Sequence, residues 1–206
     1  MSTSGFQRSV RSRARSNPIL KSATTKVARA VFGSIFARDL LEECERDIGV
    51  RRTYSLYAQA VWRQRILGFH RSAPCPIALD TTVTNLRKIH FADRTVTILS
   101  SPGCYFQTAA PISIGRGVWV GPRVTLITAN HDLLDPTQHS LPLPIEVGDG
   151  CWIGANAVVM PGVKLGNGTV VGANSVVTRS FPDGNCVIAG TPARVIKTLQ
   201  ESSAPQ

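Results

Sequence analysis

VGDGCW-IGANAV-VMPGVK-LGNGTV-VGANSV-VTRSFP, residues 147–182, reads as six blocks of six. Each opens on an aliphatic residue: Val147, Ile153, Val159, Leu165, Val171 and Val177. Glycine follows in four blocks, as Gly148, Gly154, Gly166 and Gly172. Gly or Asn fills the fourth slot in five, as Gly150, Asn156, Gly162, Gly168 and Asn174. These residue types tolerate φ > 0, so each block carries its own turn. The fifth slot (Cys151, Ala157, Val163, Thr169, Ser175, Phe181) is mostly small or β-branched. A period of six fits neither a helix nor a heptad, but it fits a short strand plus a corner. One block cannot bury its aliphatic residue alone. Three blocks make one triangular coil of about 18 residues, and coils stack at about 4.8 Å, the ordinary inter-strand spacing. The expected fold is therefore dominated by β-structure, a parallel β-helix with the opening aliphatics laddered inside.

The pattern weakens outward from this tract. Ile77, Val83 and Ile89 keep the spacing of six, Thr95 to Ser113 yields no register, and the blocks return at Ile114-Gly115, Val120-Gly121 and Leu126. The distance from Leu126 to Val147 is not a multiple of six, so about 15 residues must leave the coil. The segment DLLDPTQHSLPLPIE, residues 132–146, holds three prolines and bulky apolar side chains. Long excursions from a compact repeat usually serve binding or gating. A β-helix over residues 77–190 with a loop at 132–146 is the expected body. Beyond it, Thr191 as N-cap and Pro192 at the first helical position predict a short C-terminal helix within residues 191–206, fraying from Glu201.

Before the body, residues 1–25 are rich in Ser and Arg (Arg8, Arg11, Arg13, Arg15) with no acidic residue, which predicts a basic disordered tail. Its sharper reading is a contact with a polyanion, an anionic membrane surface above all. Nucleic acid is a poor partner, because no stacking aromatics are interleaved with these arginines. Residues 26–76 read as a helical cap. Val31, Ile35 and Phe36, then Leu40, Leu41, Cys44 and Ile48, trace an apolar face; Gly49 reads as a stop, and Thr53 as the cap of a second helix through Trp62 to Leu67. Such helices would cover the open end of the coil, whose strand edges are otherwise unpaired. Trp62, Ile66, Leu67 and Phe69 among Arg63, Arg65 and Arg71 also have the composition of an interfacial helix.

The net charge of +10 is uneven. Residues 1–76 hold 14 Lys and Arg against 5 Asp and Glu, while residues 77–206 hold 9 against 8. The high pI thus belongs to the N-terminal part, not to the repeat. No apolar run approaches the length of a membrane span, and the start of the chain lacks a signal-peptide core. A cytoplasmic location is expected, with the inner membrane face as the alternative. Cys44, Cys75, Cys104, Cys151 and Cys186 are scattered and odd in number, which reads as reduced thiols rather than a disulfide or zinc framework.

The repeat resembles the hexapeptide-repeat acyltransferases. Ile127-Thr128-Ala129-Asn130-His131-Asp132, Val176-Val177-Thr178-Arg179 and Ala189-Gly190-Thr191-Pro192-Ala193-Arg194-Val195-Ile196-Lys197 sharpen the match to the galactoside, maltose and polysaccharide O-acetyltransferase branch. The resemblance spans about Ile77 to Leu199 and implies a left-handed coil. It implies acetyl-CoA as donor, with Ala155, Ala173, Thr178, Arg179, Arg194 and Lys197 as donor-binding residues. It also implies a homotrimer whose loop 132–146 reaches over the active site of a neighbouring subunit. Outward-facing Trp119 and Trp152, each just before a coil aliphatic, agree with such an assembly. Two departures are mild: the family often has Thr-Lys at Thr178-Arg179 and Asn-Pro at Thr191-Pro192. A third is not, because Ser100 to Tyr105 lacks the asparagine pattern expected for a simple galactoside or maltose acceptor.

His131 is the candidate general base, from its place at the root of the excursion and its Ala-Asn-His-Asp context. A thioester is already activated, so one imidazole that removes the acceptor hydroxyl proton suffices, with a backbone N–H for the oxyanion. No metal and no covalent enzyme intermediate are required. Asn130, His139 and Glu146 are candidate acceptor contacts, Asn130 and Glu146 also as groups that orient His131. The expected activity is transfer of acetyl from acetyl-CoA to a hydroxyl of a sugar or polysaccharide-type acceptor. The alternatives are a xenobiotic or serine O-acetyltransferase, or a non-catalytic scaffold with a polyanion-binding arm. A carbonic anhydrase of this fold would need histidines recurring at coil spacing, which the chain lacks.

Overall fold

A computed structural model describes residues 18–36, 38, 41, 42, 45, 50–71, 73, 75–92 and 96–199. The readings for residues 1–17, for Leu40, Cys44, Ile48 and the Gly49 stop, and for residues 200–206 lie outside the described residues.

Three sheets form the sides of a prism. The first stacks β1 (Thr82–Val83), β3 (Tyr105–Gln107), β6 (Thr125–Ile127), β9 (Val158–Val159) and β12 (Val176–Val177). The second stacks β2 (Ile89–Phe91), β4 (Ile112–Ile114), β7 (Ile145–Val147) and β10 (Lys164–Leu165). The third stacks β5 (Trp119–Val120), β8 (Trp152–Ile153), β11 (Val170–Val171), β13 (Cys186–Gly190) and β14 (Ala193–Thr198). Pairing is parallel except between β13 and β14, an arrangement consistent with a left-handed β-helix.

The block-opening aliphatics build the core as ladders. Phe106, Leu126, Val159 and Val177 are buried on the first side, Ile114, Val147 and Leu165 on the second, and Ile153, Val171 and Ile188 on the third. Burying such a column removes apolar surface from water at about 25 cal/mol per Å². All five Gly and Asn of the fourth slot, Gly150, Asn156, Gly162, Gly168 and Asn174, have φ between 58° and 77°. Each coil thus turns its corner where the side chain tolerates the left-handed region.

Register explains both irregular stretches. In the regular part each residue pairs with the one three blocks on, as Ile153 with Val171 and Val159 with Val177. Across the excursion the partners are Ile114 with Val147, Val120 with Ile153 and Leu126 with Val159, so all three sides carry the same extra length. One segment therefore leaves the coil, between β6 and β7. The chain rejoins the coil at Ile145, which is fully buried against Ile112, so Ile145 and Glu146 belong to β7 and not to the loop. Earlier in the chain, Phe91 pairs with Ile114 and Phe106 with Leu126, steps that both exceed three blocks. A 3₁₀ turn at Val96–Ser100 takes up part of that slack.

Two readings at the N-terminal end need correction. Helix α1 spans Pro18–Ile35, so residues 18–25 are helical and not part of a disordered tail. Proline suits the first turn, where its missing N–H would have had no partner, and no glycine interrupts the run before Gly33. Helix α2 spans Val50–Ala60, which places Thr53 inside it, buried, rather than at its cap. The chain continues as a π-helical turn over Val61–Ile66. Phe32 stacks on Tyr54 with centroids 5.8 Å apart, and Phe36 meets Tyr57 edge-on at 5.2 Å. Phe36, Tyr57 and Ala60 join the same apolar cluster as Ile77 and Leu99, so the helices do pack on the first coil.

Over residues 191–199 the expected C-terminal helix is not formed. Gly190, at φ 103°, and a cis Thr191–Pro192 peptide turn the chain back, and β14 pairs antiparallel with β13 through Ala189–Arg194 and Val187–Lys197. Two causes favour the strand. The outer edge of β13 offers unpaired N–H and C=O groups, and Val195 and Ile196 are β-branched.

Candidate active site

His131 lies in a small hairpin that leaves the prism at the edge between the first and second sides. Its root is anchored on Gln107 of the preceding coil: Gln107 Oε1 accepts the Ala129 N–H at 2.9 Å, and the Thr128 hydroxyl donates to the Gln107 backbone carbonyl at 2.8 Å. The two arms pair through Ser140 N–H to Asn130 O (2.9 Å) and Asp132 N–H to Gln138 O (3.0 Å). The tip is braced by Asp132, whose Oδ1 accepts the N–H groups of Leu134 (2.8 Å) and Asp135 (3.0 Å). Those bonds hold the Asp132 carboxyl below the usual carboxylate range. Asp135 is lowered likewise, first by the Thr137 hydroxyl and then by its N–H.

The tip presents the Pro136 carbonyl to His131 Nδ1 at 2.7 Å. A carbonyl oxygen has no proton to give, so Nδ1 carries the hydrogen and donates it. The neutral ring then has its lone pair on Nε2, which is the arrangement a base requires. The His139 ring lies 4.5 Å away, tilted by 40°, as the antiparallel bridge between the two histidines dictates. Asn130 takes part through its backbone, its carbonyl accepting both the N–H and the hydroxyl of Ser140. Glu146 is directed elsewhere, along β7 and β10 to Lys164 Nζ at 2.8 Å.

Four of the six predicted donor residues fall on two edges flanking the first side. Thr178 and Arg179 follow β12 at the edge from which the hairpin springs, two coils further on. Arg179 lies over the Phe181 ring, 5.2 Å from its centroid. Ala155 and Ala173 stack on the other edge, between the third and first sides. There an added Cβ on Gly154 would stand 2.7 Å from the Ala173 nitrogen. Beside them runs a polar ladder absent from the sequence reading: Arg123 Nε donates to Asn156 Oδ1 (2.7 Å), and Asn156 Nδ2 to Asn174 Oδ1 (3.0 Å). Its signal was the asparagine recurring at one fourth slot per coil. Arg194 and Lys197 are exposed on β14, the edge strand of the third side, so they are not gathered with Arg179 within one chain. Among the described residues no three His, Cys, Asp or Glu side chains cluster as a metal site would need.

Residues 144–179 match the family model of the bacterial transferase hexapeptide, six repeats. Residues 144–179 thus carry that transferase hexapeptide repeat. Among solved structures, this hexapeptide-repeat chain is similar to a galactoside acetyltransferase in complex with coenzyme A, at 29% identity over 60% of this chain and 61% of that one, TM-score 0.54. It also matches a hexapeptide-repeat acetyltransferase from Vibrio cholerae O1 biovar eltor complexed with acetyl coenzyme A, at 36% identity over 48% and 55%, TM-score 0.45. A maltose O-acetyltransferase from Clostridium difficile 630 matches at 22% identity over 90% of both chains, TM-score 0.48. The first two matches span only 61% and 55% of those proteins' lengths. No curated protein matches the hexapeptide-repeat chain.

Proposed function

We propose that the chain is an acetyl-CoA-dependent O-acetyltransferase acting on a hydroxyl of a sugar or polysaccharide-type acceptor, with His131 as general base. The observation that carries this reading is the bond from His131 Nδ1 to the Pro136 carbonyl, which leaves Nε2 free on an exposed hairpin. The coenzyme A complex of the similar galactoside acetyltransferase supports the choice of donor.

In the proposed reaction Nε2 takes the acceptor hydroxyl proton while that oxygen attacks the thioester carbonyl carbon. A backbone N–H at a coil corner stabilises the oxyanion. The carbon–sulfur bond then breaks, and the imidazolium returns its proton to the departing thiolate, so the base ends as it began. Asn130 and His139, beside the base on the hairpin, are the proposed acceptor contacts. The pantetheine arm runs along the column of Ala155 and Ala173, whose small side chains leave room for it. Arg179, Arg194 and Lys197 meet the phosphates. A homotrimer brings the hairpin of one subunit to the donor groove of the next, which is how residues on separate edges come to serve one site.

A thiol-release assay with acetyl-CoA tests the reading against panels of sugars, polysaccharides and simple alcohols. Acceptor-dependent release of free coenzyme A, abolished by loss of His131, is the expected result. Release that no hydroxyl acceptor stimulates overturns it.

A further inference from the structure

The π-helical turn at Val61–Ile66 sorts its side chains onto two sides. Gln64 goes inward, 1% exposed, its amide donating to the carbonyls of His70 (3.3 Å) and Cys75 (3.1 Å) and accepting the Ile77 N–H (3.2 Å). Arg65 is committed to the fold as well. It donates to the carbonyls of Ile35 (2.9 Å) and Ala73 (3.1 Å) and lies 4.8 Å over the Phe36 ring. Trp62, Ile66, Leu67 and Phe69 are left pointing out, each between 52% and 59% exposed. The Leu67 N–H reaches back to the Trp62 carbonyl and the Phe69 N–H to the Arg63 carbonyl, both at 3.1 Å. Turns closed at those spans set Leu67 beside Trp62 and Phe69 beside Arg63.

Four large apolar side chains on one short segment form a surface that water disfavours. Its charge is mostly positive: from Val50 to Leu79 the sequence has five Arg and no Asp or Glu, and the first carboxylate, Asp80, shares a neighbouring cavity with Arg63. Among them Arg63 and Arg71 border the apolar side chains. No helix of the described residues is long and apolar enough to cross a membrane, so a membrane contact by this face would be peripheral. We infer that this face docks on a bilayer bearing anionic headgroups. Trp62, Ile66, Leu67 and Phe69 enter the acyl boundary, and Arg63 and Arg71 meet the lipid phosphates. The anionic surface is selected by charge complementarity, and the aromatic and aliphatic mixture by the depth an interfacial segment reaches. This docking is independent of the proposed chemistry.

The test uses the full chain with vesicles of phosphatidylglycerol and phosphatidylcholine, and with phosphatidylcholine alone. Brominated acyl chains should quench tryptophan fluorescence in the wild type on anionic vesicles only, and the quenching should vanish in Trp62→Phe. Leu67→Ser with Phe69→Ser, and separately Arg63→Gln with Arg71→Gln, should each lower the vesicle-bound fraction at least tenfold without changing the circular dichroism spectrum. Sedimentation with vesicles but no Trp62-dependent quenching overturns the inference, because binding then runs through other residues. A drop in oligomer mass in these variants with vesicle binding unchanged overturns it too, since a second copy would then cover the face.

Discussion

The imidazole of His131 donates through Nδ1 to the carbonyl oxygen of Pro136, 2.7 Å away on the same hairpin. One ring nitrogen is thereby used for orientation, and the other is left for proton transfer. The position of the candidate base is a property of a local turn, and the prism supplies only its root.

His131→Ala should lower kcat for the true acceptor by about 10²–10⁴-fold, the usual scale for a general base. The side chain is exposed, so the thermal midpoint should not move. Turnover within threefold of wild type would give His131 another role.

Asp132→Ala removes the acceptor that braces the tip, and should cost about 10- to 100-fold in kcat by letting the ring wander. Asp132→Asn keeps an oxygen for the same two N–H groups and should rescue most of it. The carboxyl is held low, so the brace is complete above the ordinary value of about 3.9 and is lost as pH falls through the folded value. A hairpin that stays ordered by NMR in Asp132→Ala would show the brace to be dispensable.

Glu45 takes a fork from Arg29 and the Tyr54 hydroxyl at 2.5 Å, in a buried position. Glu45→Ala should destabilise the helical region by about 1–3 kcal/mol, because Tyr54 loses a buried partner while half-exposed Arg29 turns to water. The Arg29 hydrogen bond holds the Glu45 carboxyl low, so its contribution is present above about 4.3 and lost as pH falls through the folded value. Burial and Glu45 push the Tyr54 phenol up to about 12, so its contribution is complete below about 10 and lost as pH rises through 12. Helical ellipticity that is flat from pH 3 to 12 would contradict both.

Gly154→Ala places a Cβ 2.7 Å from the Ala173 nitrogen and 2.8 Å from the Val171 carbonyl oxygen, backbone atoms of the next coil. It should cost about 1–3 kcal/mol by prising coils apart. Gly150→Ala meets nothing within 4 Å and should cost about 1–2 kcal/mol through its positive φ alone. Denaturant melts give the two costs, and ligand binding separates the variants: with Ala155 as the proposed donor contact, Gly154→Ala should also lose coenzyme A affinity, and Gly150→Ala should not.

Trp119 and Trp152 are register partners on β5 and β8, 57% and 56% exposed. In the proposed homotrimer this ladder is a subunit contact, so Trp152→Glu should shift the mass by light scattering from three chains to the single-chain 22.2 kDa. A wild-type protein already at that mass at micromolar concentration would sink the trimer.

The body of the fold was legible because its information is local. Val159 and Val177 announce their ladder by spacing, and Asn156 and Asn174 announce their corners by residue type. Legibility failed where the deciding partner is distant or has no side-chain signature. Nothing in TPARVIK tells that β13 has a free edge to pair with, so a good cap dipeptide pointed to a helix. Coils longer than three blocks hid the register of Phe106 and Ile112. The Pro136 carbonyl, a backbone group, left no trace.

Ile114, Val120 and Leu126 meet Val147, Ile153 and Val159 at one common offset, which has a consequence for how this chain can change. All three sides resume the same register on either side of the hairpin, so the core does not sense how many residues lie between the buried Ala129 and Ile145. For the fold, the segment is an exchangeable cassette: its length can drift at the modest entropic cost of a longer closure, while His131, Asp132 and Pro136 are held by what the site must do. Selection on what the site accepts and selection on what keeps the column standing thereby act on different residues.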